Sequence, residues 1–171
     1  KNIPSEAYTK LIVLLNEYQD VFYKDGDPIN KLNTPLKHKI RLVDNAKPIQ
    51  AKLYALPLKH REAITKQINS WLNLGIITPS YSPWSATCLV VDKKDQVLGR
   101  VCGNFVPLNA VTVNDAYPIK RIEDQKESFH GCVYLNSIDL KDAYLQVELD
   151  EESKELTAIV TLDGLFQFER I

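Results

Sequence analysis

The chain has 171 residues, of which 44% are hydrophobic and 25% are charged, and its formal net charge is −1. These proportions match ordinary globular proteins and exclude a disordered tail, and no apolar run reaches the roughly 20 residues that span a bilayer. The near-neutral charge argues against a dedicated nucleic-acid clamp, whose surface is usually basic. Cations nevertheless concentrate at 36–41, 58–61 and 92–95, and acids from 139 to 155, where solvated surfaces are the simplest explanation.

The cysteines and the beginning of the chain indicate the setting of the protein. Cys88, Cys102 and Cys132 are far apart and odd in number, which favours reduced intracellular thiols over a disulfide frame or a zinc site. The first ten residues, KNIPSEAYTK, lack the apolar core of a signal peptide. Because the chain begins at Lys1 and contains no methionine, we expect a piece of a longer translation product.

Two amphipathic helices are predicted in the first half of the chain. Residues 5–22 place an apolar stripe on one helical face, and Ser5 is the expected N-cap. A polar linker containing Pro28 and several asparagines follows. The second helix is predicted from Leu58 to Leu74, and Gly75 is a natural left-handed stop. The stripe of the second helix consists of Ile64, Ile68, Trp71 and Leu72.

Two hairpins, a short helix and a further strand are predicted after residue 85. The segments 86–92 and 100–105 are apolar runs joined by a polar tip, and a second hairpin closes the chain around a type I′ turn at Asp163–Gly164. Between them we expect a helix near 121–129, ended by Gly131, and a strand at 133–139. Because helices and hairpins alternate without a regular βαβ rhythm, the predicted fold class is α+β.

Asp139 and Asp142 are candidate ligands of a divalent cation. Asp139 ends the predicted strand, so its carboxylate would project from the rim of a packed sheet, and Mg²⁺ prefers one or two carboxylates together with phosphate oxygens and water. Two-metal phosphoryl transfer requires several acidic ligands around ions about 3.5–4 Å apart. The spacing alone is more typical of ordinary strand-end and turn aspartates, so on this ground both interpretations stay open.

Other residues could bind a nucleotide or a base, and each also has a structural alternative. The Tyr144 ring could form the floor of a sugar-binding pocket, or it could belong to the hydrophobic core. Lys93, Lys94 and Arg100 could bind phosphate, for which arginine offers a bidentate fork, or they could protect a sheet edge. Trp84 could stack on a base or anchor its loop to the core. Taken singly, each position favours the structural alternative.

The order of the segments is more informative than any one of them. The chain reads HKIRL, GIITPSYSPWSA, LVVDKKD, RVC, PLN, YP and IDLKDAYLQV in succession. This succession resembles the reverse transcriptases of gypsy-type LTR retrotransposons and their retroviral relatives over essentially the whole chain, most clearly from Pro35 to Ile171. The resemblance implies an incomplete right-hand polymerase fold, with a leading helix and linker (1–35), fingers (36–114), the start of the palm (115–146) and a hairpin returning to the fingers (147–171).

The resemblance also implies roles for the residues around Asp139. It makes Asp139 the first catalytic aspartate and a metal ligand, with the carbonyl of Leu140 as a minor ligand. The backbone amides of Asp142 and Ala143 would contact the triphosphate of the incoming nucleotide. Tyr144 matches the aromatic steric gate that excludes a ribose 2′-hydroxyl.

The implied partners follow from the same comparison of motifs. Lys93 and Arg100 match the fingers cations that close on the β- and γ-phosphates, and Pro83 and Trp84 would lie near the template strand. The implied cofactor is Mg²⁺ or Mn²⁺. The implied partners are an RNA or DNA template–primer, deoxynucleoside triphosphates and the remainder of the Pol polyprotein, without a membrane. The expected location is the cytoplasm, a virus-like particle or the nucleus.

Departures from the family pattern leave a second hypothesis open. The family usually reads R-x-C-V-D-Y-R-x-L-N where this chain reads RVCGNFVPLN, so Asn104 and Val106 replace an acid and an arginine, and Gln96 replaces a glycine. The chain stops before the P-F-G and Y-x-D-D motifs, so we expect it to extend no primer alone. A non-catalytic retroelement fragment that binds protein or RNA is the alternative, although the intact IDLKDAY disfavours it. A partial gene model that exposes apolar surface and aggregates is a third.

Overall fold

The computed structural model describes residues 3–24, 27–29, 31–93 and 96–171, and it leaves the side chains of 92–98 undescribed. No helix in these ranges is both long enough and apolar enough to cross a membrane. Three single 3-10 turns lie at Gln19–Val21, Ala143–Gln146 and Glu155–Thr157. In chain order the remaining elements are α1 (Ser5–Glu17), α2 (Leu58–Asn73), β1 (Ile77–Pro79), β2 (Ala86–Lys93), β3 (Gln96–Gly103), α3 (Val106–Asn109), α4 (Ile122–Glu127), α5 (Glu151–Lys154), β4 (Ile159–Thr161) and β5 (Gly164–Phe168).

The strands form one mixed sheet in the order β1-β5-β4-β2-β3. Strands β2 and β4 run parallel, with Ala86 opposite Ile159, and the other neighbours are antiparallel. The predicted hairpin of 86–92 and 100–105 is confirmed as β2–β3, in which Cys88 pairs with Gly103. The α+β class predicted from the sequence is therefore confirmed.

The closing hairpin exists, but the type I′ turn predicted at Asp163–Gly164 is wrong. Gly164 pairs with Thr161, which leaves Leu162 and Asp163 as the two loop residues, and both have negative φ angles. A type I′ turn requires positive φ at both central residues. The Thr161 hydroxyl accepts from Asp163 N at 3.1 Å, and the Asp163 carboxylate accepts a 2.7 Å hydrogen bond from Thr65 on α2. Contacts across the fold therefore stabilise a different turn.

Helix α2 covers the sheet and forms the core with it. Ile64 and Ile68 are buried, and the Trp71 ring packs edge-on against Phe168, with centroids 5.4 Å apart. Burying a side chain such as Ile68, which is 1% exposed, contributes about 2 kcal/mol. Gly75 has φ +60° just beyond the helix, as the sequence predicts, because glycine has no Cβ to oppose a left-handed conformation.

Helix α1 is shorter than the predicted range 5–22, since it ends at Glu17, and it differs in its N-cap and does not enter the core. Pro4 occupies the N-cap position, so the prediction that Ser5 caps the helix is wrong: Ser5 is already helical, and its carbonyl accepts from Thr9 Oγ1 at 3.0 Å. Every residue of α1 is exposed, and even Leu11 keeps 36% of its surface accessible. Its apolar stripe therefore adds little to stability within this chain.

The strand predicted at 133–139 is wrong. Residues 134–140 have no regular secondary structure, and the whole stretch 113–142 is exposed. Val133 is 66% exposed and Ile138 is 85% exposed. A strand is stable when neighbouring strands satisfy its backbone groups and cover its apolar side chains. Within the described part of the chain, no strand pairs with this segment, so its apolar pattern does not produce one.

Candidate functional site

The acidic turn, defined here as residues 139–146, carries most of the candidate site. Asp142 has left-handed φ 45° and ψ 49° and begins the 3-10 turn Ala143–Gln146. Leu145 N donates to the Asp142 carbonyl at 2.9 Å, and Gln146 Nε2 donates to the Lys141 carbonyl at 2.7 Å. Because a left-handed non-glycine residue costs about 1 kcal/mol or more, contacts around it must hold it in place.

The side chains of the acidic turn point mainly towards solvent. Asp139 is exposed, Leu140 is 64% exposed and Tyr144 is 84% exposed, whereas Ala143 is half-buried. A carboxylate, a backbone carbonyl and an aromatic ring are thus accessible to a ligand within six residues of chain. The roles predicted for these four residues remain predictions.

The structure brings Arg100 and Asp142 to one cleft of about 380 Å³, called here the hairpin cleft. Arg100 lies on β3 opposite Val91 and is exposed, and Trp71 of α2 forms another part of the wall. Gly99 precedes Arg100 with φ +69°, and a Cβ at Gly99 would lie 2.8 Å from the Val91 carbonyl oxygen. Glycine at this position therefore lets β3 lie close to β2 and places Arg100 at the cleft.

The other residues predicted on the fingers lie elsewhere. The backbone of Lys93 pairs with Gln96 next to an irregularity in register, and its side chain lies outside the described part of the chain. Pro83 is exposed, whereas Trp84 is only 7% exposed and borders a separate cleft of about 330 Å³. Trp84 N donates to Ser82 Oγ at 3.0 Å. The Trp84 ring therefore anchors its loop, and contact with a template at Pro83 and Trp84 remains a prediction.

The unusual residues after β3 make defined local contacts. Asn104 Oδ1 accepts a hydrogen bond from Val106 N at 3.3 Å, so the amide supplies an oxygen acceptor before α3. A Cβ at Gly103 would lie 2.7 Å from the Phe105 ring, so a larger residue would displace that ring. Phe105 packs edge-on against Phe168 at 6.3 Å between centroids. These departures from the family pattern are thus accommodated by local packing.

Cations of the segment 31–39, which overlaps the cationic run 36–41, face acids of the segment 148–154, which belongs to the acidic run 139–155. This arrangement is called here the charged seam, whereas the sequence predicted separate solvated surfaces. Lys39 lies 3.1 Å from Glu152, whose hydrogen bond is the main cause of a raised Lys39 pKa. Lys31 forms an ion pair with Glu148, and this hydrogen bond is the main cause of a lowered Glu148 pKa. Lys37 lies 3.9 Å from Glu148. The only sequence signal was two runs of opposite charge more than 100 residues apart.

The metal-binding donors do not make a complete two-metal site. Across 3–24, 27–29, 31–93 and 96–171, no group of three or more His, Cys, Asp or Glu side chains is arranged to hold a metal ion. The acidic turn offers the carboxylate of Asp139, the carbonyl of Leu140 and the carboxylate of Asp142, which lies 3.4 Å from Lys141 Nζ. Two-metal phosphoryl transfer needs several acidic ligands, so these donors fit only part of such a site.

Comparison with known proteins finds relatives along the whole chain. The chain is 33% identical over 174 residues to the retrovirus-related Pol polyprotein from transposon 297 of Drosophila melanogaster, covering 99% of this chain and 16% of that protein. A prototype foamy virus protease-reverse transcriptase matches with a TM-score of 0.79 and 18% identity, covering 100% of this chain and 23% of the other. A foamy viral protease-reverse transcriptase in complex with an RNA/DNA hybrid matches with a TM-score of 0.75 and 18% identity, covering 99% and 22%. No protein-family model matches the chain.

The chain spans about a sixth of the polyprotein and under a quarter of each structural neighbour. The comparisons therefore show one segment in common with the polyprotein and a common fold with the structural neighbours.

Proposed function

Because the chain belongs to the reverse transcriptases of retrovirus-related Pol polyproteins and has their fold, we propose that it forms the fingers and first part of the palm of an RNA-directed DNA polymerase. The parent protein would copy RNA and DNA templates into DNA by two-metal nucleotidyl transfer. In this proposal residues 36–114 are fingers, 115–146 begin the palm and 147–171 return to the fingers. The observation that carries it is the hairpin cleft, where a fingers cation, Arg100, and a palm residue, Asp142, meet.

The residues around the hairpin cleft suit a triphosphate and its sugar. Arg100 presents a guanidinium fork, which matches phosphate oxygens bidentately, and we assign Lys93 to the same phosphates. The amides of Asp142 and Ala143 would donate to the remaining oxygens. Tyr144 would stand against the ribose 2′-position, and its 84% exposure leaves the ring surface available for that contact.

The metal-binding donors of the acidic turn fit one part of a metal site that the rest of the parent protein would complete. We assign Asp139 and the Leu140 carbonyl to one part of a site for Mg²⁺ or Mn²⁺ that the parent protein completes. Divalent cations in such sites neutralise phosphate charge and align the reacting oxygens. Because the described residues bring no group of three or more His, Cys, Asp or Glu side chains together to hold a metal ion, we expect this chain alone to extend no primer.

The proposed partners are a template–primer, deoxynucleoside triphosphates and the remainder of the Pol polyprotein. Support for nucleic-acid binding comes from the structural neighbour that is in complex with an RNA/DNA hybrid. We assign the surface around Pro83 and Trp84 to the template. The three cysteines are free thiols, which suits the intracellular setting that we propose.

Two assays on the purified 171-residue chain test this function. We expect no primer extension. We also expect the chain to bind an RNA–DNA hybrid, and the slope of log affinity against log salt concentration should be roughly −0.9 for each phosphate that is neutralised. Primer extension that disappears in Asp139→Ala would contradict the expected inactivity. Hybrid binding that is absent at low salt would contradict the assignment to a polymerase surface.

The second candidate is a non-catalytic module that binds protein or RNA. The replacements at Asn104 and Val106 favour it, because a binding module does not need the acid and the arginine of the family pattern. The retained IDLKDAY opposes it, since such a module has no use for a metal aspartate or a steric gate. A protein-binding module would show little hybrid binding at any salt concentration.

A further inference from the structure

The leading segment is defined here as the described residues 18–24, 27–29 and 31–41, and parts of it contact the acidic turn. Leu32 N donates to the carbonyl of Gln146, the last residue of the turn, at 2.8 Å. Lys31 pairs with Glu148, and His38 N donates to the Glu148 carbonyl at 2.8 Å. Backbone and side-chain contacts therefore connect the leading segment to the end of the turn.

An aromatic ring of the leading segment also reaches the beginning of the turn. Lys141 Nζ lies 5.4 Å from the centroid of the Tyr23 ring and 3.4 Å from Asp142 Oδ2. The ammonium is thus placed between the face of the ring, which attracts cations, and the carboxylate of the left-handed residue. Tyr23 restricts where Lys141 can go, and Lys141 restricts the Asp142 side chain.

A buried arginine fixes the leading segment to the core. Arg170 is 5% exposed, and its Nη1 and Nη2 donate to the carbonyls of Ile29 at 3.0 Å and Leu74 at 2.9 Å. Ile29 lines the hairpin cleft together with Asp142. Arg170 therefore connects Ile29 to the end of α2, while Leu32 contacts the end of the acidic turn.

We propose that Tyr23 is a positioning residue for the incoming nucleotide, acting through Lys141 to hold Asp142 in its left-handed conformation. The inference rests on the proposed function, because it takes the amides of Asp142 and Ala143 as contacts of the triphosphate. A left-handed aspartate persists only where surrounding contacts over-determine it. Tyr23 needs no contact with the substrate, since it fixes the direction of the amides through its neighbour.

The conformation of the turn can be measured in the 171-residue chain without any nucleotide. Hydrogen exchange of Leu145 N–H, which donates to the Asp142 carbonyl, reports whether the turn is closed. We expect Tyr23→Leu and Lys141→Gln each to accelerate this exchange about two- to fivefold, the range that an exposed cation–π contact supports. Exchange of Leu145 N–H in the double variant should be no faster than in either single variant. In Tyr23→Phe, which keeps the ring, the exchange rate should stay close to that of the parent chain. Tyr8→Leu, an exposed tyrosine on α1, is the matched control.

A second measurement separates this inference from the proposed function. In a Pol polyprotein that contains this segment, Tyr23→Leu should raise KM for a deoxynucleoside triphosphate about two- to fivefold and leave kcat nearly unchanged. Unchanged or additive exchange rates in the variants would overturn the positioning role even if the parent polymerase is active. Accelerated exchange with an unchanged KM would overturn the link to the nucleotide. A parent protein without nucleotide-dependent activity would refute the proposed function, whatever the exchange rates show.

Discussion

Replacing Arg100 with glutamine should weaken binding of a deoxynucleoside triphosphate to the hairpin cleft. A hydrogen bond to a charged group contributes roughly 1.5–3 kcal/mol. Because Arg100 is exposed, solvent and salt screen the interaction and place the effect at the lower limit, at about 1.5 kcal/mol. At 25 °C that energy corresponds to a roughly tenfold increase in Kd.

The fluorescence of Trp71, which lines the same cleft, provides the assay. Titration of the chain with dTTP in the presence of Mg²⁺ would give Kd for the parent and for Arg100→Gln. Lys39→Gln removes the same charge from the charged seam, where Lys39 is paired with Glu152, and is the matched control. Equal affinities of Arg100→Gln and the parent would refute the assignment of Arg100 to the phosphates. If Lys39→Gln weakens dTTP binding as much as Arg100→Gln does, the loss of affinity would follow from the net charge of the chain and not from the position of Arg100.

Three further predictions concern the fold. Ile68→Ala should lower the free energy of unfolding by about 3 kcal/mol in urea denaturation, because three carbons at about 0.8 kcal/mol each are lost and a cavity remains. The hydrogen bond from Lys31 lowers the pKa of Glu148, so this ion pair stabilises the charged seam above the unfolded-state value near 4.5. The protection of Leu32 N–H, which is its intrinsic exchange rate divided by the observed rate at the same pH, should therefore fall as pH falls through the folded-state pKa. Burial raises the pKa of Cys88 to about 11, so iodoacetamide at pH 8 should label the two exposed cysteines first.

Each of these predictions has a matched comparison. Asn69→Ala changes an exposed neighbour on α2 and should shift stability by less than about 0.5 kcal/mol. Glu148→Gln should show the fast exchange of Leu32 N–H already at neutral pH, and a parent-like rate in that variant would argue against the ion pair. Labelling of all three thiols at one rate in the native chain would contradict the burial of Cys88.

The predictions that succeeded depend on residues close together in sequence. The period of Ile64, Ile68 and Trp71 defines one face of α2, and Gly75 ends the helix because its backbone alone favours a left-handed conformation. The β2–β3 hairpin follows from two apolar runs separated by a polar tip. The order of the short motifs predicted a resemblance to retroelement Pol polyproteins, which the sequence relatives confirm, and the predicted fold agrees with that of the structural neighbours.

The predictions that failed, and the contacts that the sequence analysis missed, depend on distant partners. Residues 133–139 have the composition of a strand, yet a strand forms only where another chain segment completes its hydrogen bonds. The turn at Asp163 is held by Thr65, which lies 98 residues away in the sequence. The Ser5 cap is a different case, because the neighbouring Pro4 takes the N-cap position. The pattern around Trp84 favoured an anchor for its loop over stacking on a base, and its burial agrees with that interpretation.

Periodicity and motif order are local properties of the chain, and they were enough to predict the resemblance to Pol polyproteins, the α+β class, α2 and the approximate positions of the two hairpins. Three contacts became visible in the folded chain alone: Arg100 and Asp142 line one cleft, charged residues of 31–39 pair with those of 148–154, and the Lys141 ammonium lies over the Tyr23 ring. Each of these contacts closes a loop of tens of residues or more, and its geometry depends on the packing of the whole sheet and α2.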